Sequence, residues 1–379
     1  MTLPELTARL KSEAHRLGFH LVGVTDCAPP ETYATYAAWL NAGQHAAMAY
    51  MARARNRERR ADPRRILPEC RSIVVLGVRY FQQRAAPEAA GPRGRVASYA
   101  WGADYHDVLV ERLKALVAFL EAETGAPVPN RYYTDTGPVL EREYAVRAGL
   151  GWVGKNAMLI NPRLGSYLIL AEVLLGIPLE PDPPFATDHC GTCTRCVDAC
   201  PTHAILPNRT IDANRCLSYL TIENKGAIPA ALRPSVGNWV FGCDVCQMVC
   251  PWNRRAPVEG DPAFAPRPEV PRPLLTSELR LTPQAFNRKF KGSPIKRAKR
   301  RGYLRNVAVA LGNLGDAAAV PALAEALHDP EPLVRAHAAW ALGRIGTAEA
   351  CRALEAALPH ETDPEVRAEM LAARCPQSR

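Results

Sequence analysis

Leu3, Leu6, Leu10 and Leu17 recur at helical spacing and predict an amphipathic helix over residues 3–18. Phe19–Thr25 follows as a strand. Tyr33–Ala42, His45–Met51 and Met51–Arg60 read as helices, the last crowded with arginines on what reads as a solvated face. Ser72–Tyr80 is a continuous apolar run, the mark of a strand buried on both faces. A long helix is expected over Tyr105–Glu123, a short strand over Asn130–Thr134 and a helix over Leu140–Ala148. Ser166–Leu175 is an apolar strand broken by one acid, Glu172, which must find a partner or face a cavity. Strands alternating with helices predict an α/β or α+β domain over residues 1–185.

The C-terminal pattern repeats. Arg305–Gly315 lines up with Ala336–Gly346 at an offset of 31, and Leu323 and Leu327 recur as Leu354 and Leu358. Asp329-Pro330 recurs as Asp363-Pro364, three positions further on. Each unit is a pair of amphipathic helices, so residues 302–379 are expected to form a short HEAT-like solenoid. Such an array binds or scaffolds; it supplies no catalytic groups.

Between these regions the cysteines carry the signal. Cys190, Cys193, Cys196 and Cys200-Pro201 follow the bacterial ferredoxin spacing, in which the fourth thiolate ligates the other cluster. Cys243, Cys246 and Cys250-Pro251 repeat it without the first ligand, and Cys216 is placed to supply it. The crossover assigns Cys190, Cys193, Cys196 and Cys250 to one 4Fe-4S cluster, and Cys200, Cys216, Cys243 and Cys246 to a second. A zinc ribbon also uses paired C-x2-C but has no need of the C-P tail. Disulfides suit a secreted chain. Residues 186–255 are therefore read as a ferredoxin-like insert.

Composition adds a partner class. The 379 residues carry a formal charge of +9, and the 34 prolines cluster partly within 256–283. Residues 256–301 read as a Pro-rich and basic connector. It ends in a run from Lys289 to Arg301 with seven cations in thirteen positions and no acid. That balance suits a polyanion, although a solvated linker has the same composition. The N-terminus lacks the features of a signal peptide and no apolar run is long enough to span a membrane, so a cytoplasmic protein is expected.

Two clusters move single electrons, and the terminal acceptor is expected in the N-terminal domain. The densest polar stretch there is Tyr132-Tyr-Thr-Asp135-Thr-Gly-Pro138, followed by Glu141-Arg142-Glu143. Asp135, at the end of a strand, can act as a general acid if burial raises its pKa, or it can cap the next helix. His106 can ligate a metal, bond a cofactor amide or serve the fold.

On Tyr-Thr-Asp135-Thr-Gly-Pro138, Gly151-Trp-Val-Gly-Lys155-Asn156, the eight cysteines and the terminal repeat, the chain resembles the epoxyqueuosine reductases, relatives of the reductive dehalogenases. The resemblance implies an α+β architecture: an N-terminal α/β cobalamin-binding domain, a two-cluster ferredoxin-like module and C-terminal HEAT-like repeats. It implies reduction of the epoxide of epoxyqueuosine at the tRNA wobble position, with low-valent cobalt acting on the oxirane and Asp135 protonating its oxygen. Asp104-Tyr-His106 has Leu109 where the D-x-H-x-x-G corrin motif has Gly, so the corrin is expected to bind without a histidine ligand. Arg60, Ser98, Asp104, His106, Met158, Ser166, Ser218 and Asp244 are the expected cobalamin contacts. Asn224, Lys225, Lys289, Lys291, Lys296, Arg297, Lys299, Arg300 and Arg301 are the expected contacts to the tRNA anticodon arm. The partners implied are that tRNA and an external electron donor, with the enzyme a monomer off the membrane. The rival readings are a cytoplasmic reductive-dehalogenase-like corrinoid enzyme, and a non-catalytic electron carrier with an RNA-binding scaffold. The second of these leaves Asp135 without a role.

Overall fold

A computed structural model describes residues 2–82 and 90–373. The chain divides into two compact units. The first comprises Met1–Gln83, Gly102–Asn214 and Val245–Ala265, and the second Arg84–Trp101, Arg215–Asp244 and Pro266–Arg379. The expected boundaries at 185 and 255 do not coincide with these units.

In the first unit, helix α1 (Leu3–Arg16) opens with a capping box in which Thr2 and Glu5 bond each other's backbone. Four strands, β1 (Leu21–Thr25), β2 (Ser72–Arg79), β3 (Asn130–Tyr133) and β4 (Leu168–Leu175), form one sheet in the order β1-β2-β4-β3. All three pairings are antiparallel. This unit is therefore α+β, which settles the choice that the alternation of elements left open. Every residue of β2 is buried, as its unbroken apolar run predicts. Two helices pack on the sheet, α2 (Tyr105–Thr124) and α3 (Glu141–Arg147). Ile73 and Val75 of β2, Tyr144 and Ala145 of α3, and Leu170 and Leu174 of β4 share one apolar cluster. Residues two apart on a strand face the same side, so Glu172 points into that cluster's face between Leu170 and Leu174.

The helix expected over His45–Met51 is shorter, Ala49–Ala52, because residues 43–47 turn and Ala46 takes φ +51°. The arginine-rich helix runs Ala54–Ala61, and within it Arg60 is buried rather than solvated.

In the second unit, α4 (Leu217–Ile222) and the strand Trp239–Phe241 pack on α5 (Lys299–Leu314). Helices α6 (Val320–Ala326), α7 (Pro332–Ile345), α8 (Ala348–Ala357) and α9 (Pro364–Ala372) continue the array. The repeat has a packing basis. A Cβ on Gly312 of α5 would sit 2.8 Å from the Cα of Ala341 on α7, and one on Gly343 would sit 2.9 Å from the Cα of Ala373. Glycine at both positions lets successive helices approach closely.

The stretch read as a connector folds instead. Leu275–Leu279, Pro283–Lys289 and Pro294–Ala298 are short helical segments, and Phe286 and Phe290 are buried against Tyr303 at centroid distances of 5.8 and 5.1 Å. The reason is the apolar spacing of Phe286, Phe290 and Ile295, which covers the first face of the solenoid. Arg305 secures the segment after α4: its buried guanidinium donates to the carbonyls of Leu220, Asn224 and Gly226. Burial lowers its pKa to about 9. Among the described residues, no helix is long and apolar enough to cross a membrane.

Candidate active site

The turn after β3 presents Asp135. Thr134 anchors the end of the strand by donating its hydroxyl to Leu170 O at 2.9 Å. Asp135 then takes φ +59°, a left-handed conformation that non-glycine residues adopt mostly at special positions. Gly137 is required two residues on, because a Cβ there would meet the Tyr133 ring at 2.4 Å. The Asp135 side chain is 68% exposed. Tyr105, at the start of α2, donates its hydroxyl to Asp135 Oδ2 at 2.7 Å, and His106 Nε2 lies 4.0 Å from the same oxygen.

Behind this aspartate sit two more carboxyls. The Asp135 amide donates to Glu141 Oε1 at 3.0 Å. Burial, and then the Asp135 charge, push the Glu141 carboxyl up to about 8. Glu172 faces Val75 on one side and Tyr133 on the other in the sheet register. It is wholly buried and neither of its oxygens has a hydrogen-bond partner. Burial raises its pKa well above the usual carboxylate range, with Glu141 and Asp135 adding to the shift. Both glutamates are thus shifted toward the protonated form beside an exposed aspartate, an arrangement common at catalytic sites.

The two cations at this site differ: Arg60 is buried and Arg142 is exposed. Arg142 donates to the carbonyl of Ala157, and desolvation of its guanidinium lowers its pKa. Arg60 lies over the Tyr36 ring at 5.5 Å and reaches Gly137 O at 3.5 Å, leaving its Nη1 without a partner. Asp135 does not cap α3, whose N-terminal cap is Leu140. Glu143 binds the backbone of Glu31 and Thr32, so that member of the polar stretch is structural.

Four of the eight cysteines come together in the first unit. A small cavity is lined by Cys190, Cys193, Cys196 and Cys250, with Lys155, Asn156, His189 and Trp252 among its walls. This is the set that the ferredoxin crossover selects. Burial raises the Cys196 and Cys250 thiols, and the amides of Trp252 and Asn253 act against that at Cys250. Among the described residues, no three His, Cys, Asp or Glu side chains are gathered tightly enough for one metal ion. Of the other set, Cys200 and Cys246 fall in the first unit and Cys216 and Cys243 in the second.

Comparison with known proteins agrees with this arrangement. A family model described as epoxyqueuosine reductase QueG, DUF1730, matches residues 60–136. A 4Fe-4S double cluster binding domain matches 189–253 and HEAT repeats match 298–373. The epoxyqueuosine reductase of Cyclobacterium marinum is 42% identical over 81% of this chain and 97% of its own. That of Pseudomonas aeruginosa is 42% identical over 90% and 95%. The chain belongs to the epoxyqueuosine reductase family.

Solved structures of the family agree in fold. An epoxyqueuosine reductase crystallised with an epoxyqueuosine-modified tRNA stem loop superposes with a TM-score of 0.91 at 35% identity, covering 97% of this chain and 98% of that one. A Bacillus subtilis epoxyqueuosine reductase, solved with its catalytic aspartate loop swung out of the active site, gives 0.90 at 35% identity over 97% and 98%.

The residues expected to contact cobalamin fall in both units. Arg60, Asp104, His106, Met158 and Ser166 lie in the first unit, and Ser98, Ser218 and Asp244 in the second. Asp104 caps α2 and bonds His106 Nδ1 at 2.8 Å, which raises the histidine pKa. Both ring nitrogens of His106 therefore face carboxylates. Ser166 is held by Gln247 at 2.9 Å, and Met158 sits in the hairpin of Trp152–Val153 and Leu159–Ile160. Ser98 donates its amide and hydroxyl to Asp244, so those two satisfy each other. Ser218 lies within α4, its carbonyl accepting from the Thr221 hydroxyl.

The basic run divides as well. Lys289 pairs with the buried Glu278, Arg297 with Glu223 at 2.6 and 3.0 Å, and Arg300 with Asp329 at 3.1 and 2.5 Å. Glu223 and Asp329 come from distant parts of the chain, which the local composition did not reveal, and Glu278 from the preceding helical segment. Asn224 bonds Ala227 O, and Lys225 donates to the carbonyls of Ile222 and Arg297. Lys291, Lys296, Lys299 and Arg301 remain exposed. The reading of single residues passed over Tyr105, Arg142, Trp152 and Lys155. The local signals were an aromatic directly before His106 and the Gly-Trp-Val-Gly-Lys segment that carried part of the resemblance.

Proposed function

We propose that this chain reduces the epoxide of epoxyqueuosine to the alkene of queuosine at the wobble position of tRNA, with two 4Fe-4S clusters and cobalamin as cofactors. The overall change consumes two electrons and two protons and releases the oxirane oxygen as water. The observation that carries the reading is the exposed Asp135 carboxylate backed by Glu141 and Glu172, in a chain of this family.

Asp135 delivers the proton to the oxirane oxygen. Tyr105 holds Asp135 Oδ2 at 2.7 Å and so orients the carboxyl. Glu141, whose carboxyl is pushed up to about 8 and accepts from the Asp135 amide, is the store from which Asp135 regains its proton.

The cysteine-lined cavity fits an iron–sulfur cube: four thiols face one space, with backbone amides turned toward the Cys250 sulfur. For the corrin, the fit rests on unpartnered buried groups. Arg60 Nη1 and Asn156 Nδ2 are donors suited to the amide carbonyls on a corrin rim. Asp104, His106, Met158 and Ser166 are further contacts in the same unit. When bound, the corrin would supply low-potential electrons for opening the oxirane.

Lys291, Lys296, Lys299 and Arg301 are the cations proposed to meet the tRNA phosphates. Lys299 and Arg301 occupy the first turn of α5, where a helix dipole disfavours cations but favours a bound anion. A phosphate there relieves both. The deciding experiment is anaerobic turnover of tRNA carrying epoxyqueuosine, with and without cobalamin. Queuosine is expected only with the corrin; equal yield without it overturns the cofactor assignment, and no queuosine in either arm overturns the substrate.

A further inference from the structure

We propose that Trp152 and Lys155 set the reduction potential of the cluster held by Cys190, Cys193, Cys196 and Cys250; the inference rests on the cluster assignment above. Trp152 is 3% exposed and donates its indole N–H to Cys190 Sγ at 3.5 Å. The ring cannot swing away. Trp252 and His189 meet it edge-on at centroid distances of 5.1 and 5.0 Å, and Phe185 stacks on it at 5.7 Å. Three residues on, the Lys155 ammonium donates to Gly191 O at 2.7 Å and Cys193 O at 3.0 Å. Both carbonyls belong to the loop that carries the first three cysteines, and Lys155 itself lines the cysteine cavity. The hairpin thus sends one neutral donor to a ligand sulfur and one fixed positive charge to the ligand loop.

Reduction adds one electron, and so one negative charge, to a cluster whose thiolates are already anionic. No bond forms or breaks and no proton moves; the electron comes from an external one-electron donor. A hydrogen bond to the sulfur and a cation beside the loop both stabilise the more negative state, and both act strongly in a site walled by Trp152, Ile160 and Cys250. Each therefore raises the potential and eases acceptance of the electron. Neither residue is needed to ligate iron, so the effect on potential separates from the effect on assembly.

The test is an EPR-monitored redox titration of the full chain reconstituted with iron and sulfide, beside chemical iron analysis. Trp152→Phe keeps the ring and loses the N–H; Lys155→Met keeps the stem and loses the charge; Lys155→Arg restores the charge. The expected result is a full iron content in all three. The midpoint of one cluster moves to more negative potential in Trp152→Phe and in Lys155→Met, with most of the shift recovered in Lys155→Arg and the second cluster unmoved. Unchanged midpoints at full iron content overturn the inference, as does an unchanged Lys155→Met midpoint when Trp152→Phe fails to hold iron. A parent chain that loads fewer than two clusters sinks the cluster assignment instead, a distinct outcome.

Discussion

Tyr105 donates its hydroxyl to Asp135 Oδ2 at 2.7 Å, from the first residue of a 20-residue helix to a turn thirty positions later. The bond leaves the other carboxyl oxygen for substrate. Asp135→Asn is expected to keep its cofactors and lose about 10²–10⁴-fold in single-turnover rate on epoxyqueuosine tRNA, the usual worth of a general acid. Tyr105→Phe should lose roughly 10-fold, the equivalent of one hydrogen bond. Parent rates in Asp135→Asn would remove the acid role.

The carboxyls behind Asp135 give the protein a pH signature. Glu141 has a folded pKa near 8, above its unfolded value of about 4.3, and Glu172 is raised in the same direction. The folded state therefore holds more protons than the unfolded state from about pH 4.3 upward. The stability these groups allow is intact below the unfolded value and is lost as pH rises through the folded one. Glu141→Gln should flatten the fall in unfolding free energy between roughly pH 5 and 8, measured by urea denaturation at several pH values. A slope identical to the parent's would mean Glu141 is ionised in the fold.

Paired and unpaired cations should behave differently. Lys296→Ala, Lys299→Ala and Arg301→Ala should each lower the slope of log K against log salt for tRNA binding by up to about 1 and leave the melting temperature unchanged. Arg300→Ala should instead destabilise by about 1–3 kcal/mol, because it strands Asp329, whose side chain is 7% exposed. Thermal melts with salt-dependent binding separate the two; a stable Arg300→Ala with the full loss of slope would put Arg300 in the interface.

Two glycines of α5 should respond with opposite sign. Gly312→Ala places a Cβ 2.8 Å from Ala341 Cα and should cost about 1–3 kcal/mol through overpacking. Gly302→Ala meets nothing closer than 3.9 Å and should stabilise by roughly 0.5–1 kcal/mol through helix propensity. Calorimetry on both variants checks the contrast, and a destabilised Gly302→Ala would contradict the packing described for that turn.

Much of this protein is written in neighbours along the chain. Leu3, Leu6 and Leu10 announce α1, the unbroken run from Ser72 announces β2, and the 31-residue offset announces α5 and α7. The ferredoxin spacing selected the four cysteines that line one cavity. These signals are local because helix period, strand burial and ligand reach depend on residues a few positions apart.

What the tertiary structure decided lies in distances that spacing does not encode. It made the sheet antiparallel, brought Glu172 behind Asp135, and supplied Glu278, Glu223 and Asp329 to three of the seven cations in a run that holds no acid of its own. It also folded the supposed connector by burying Phe286 and Phe290. The physical reason is common to all of these. A side chain's charge state and availability follow from its burial and from partners distant in sequence, and both come into being only when the segments pack.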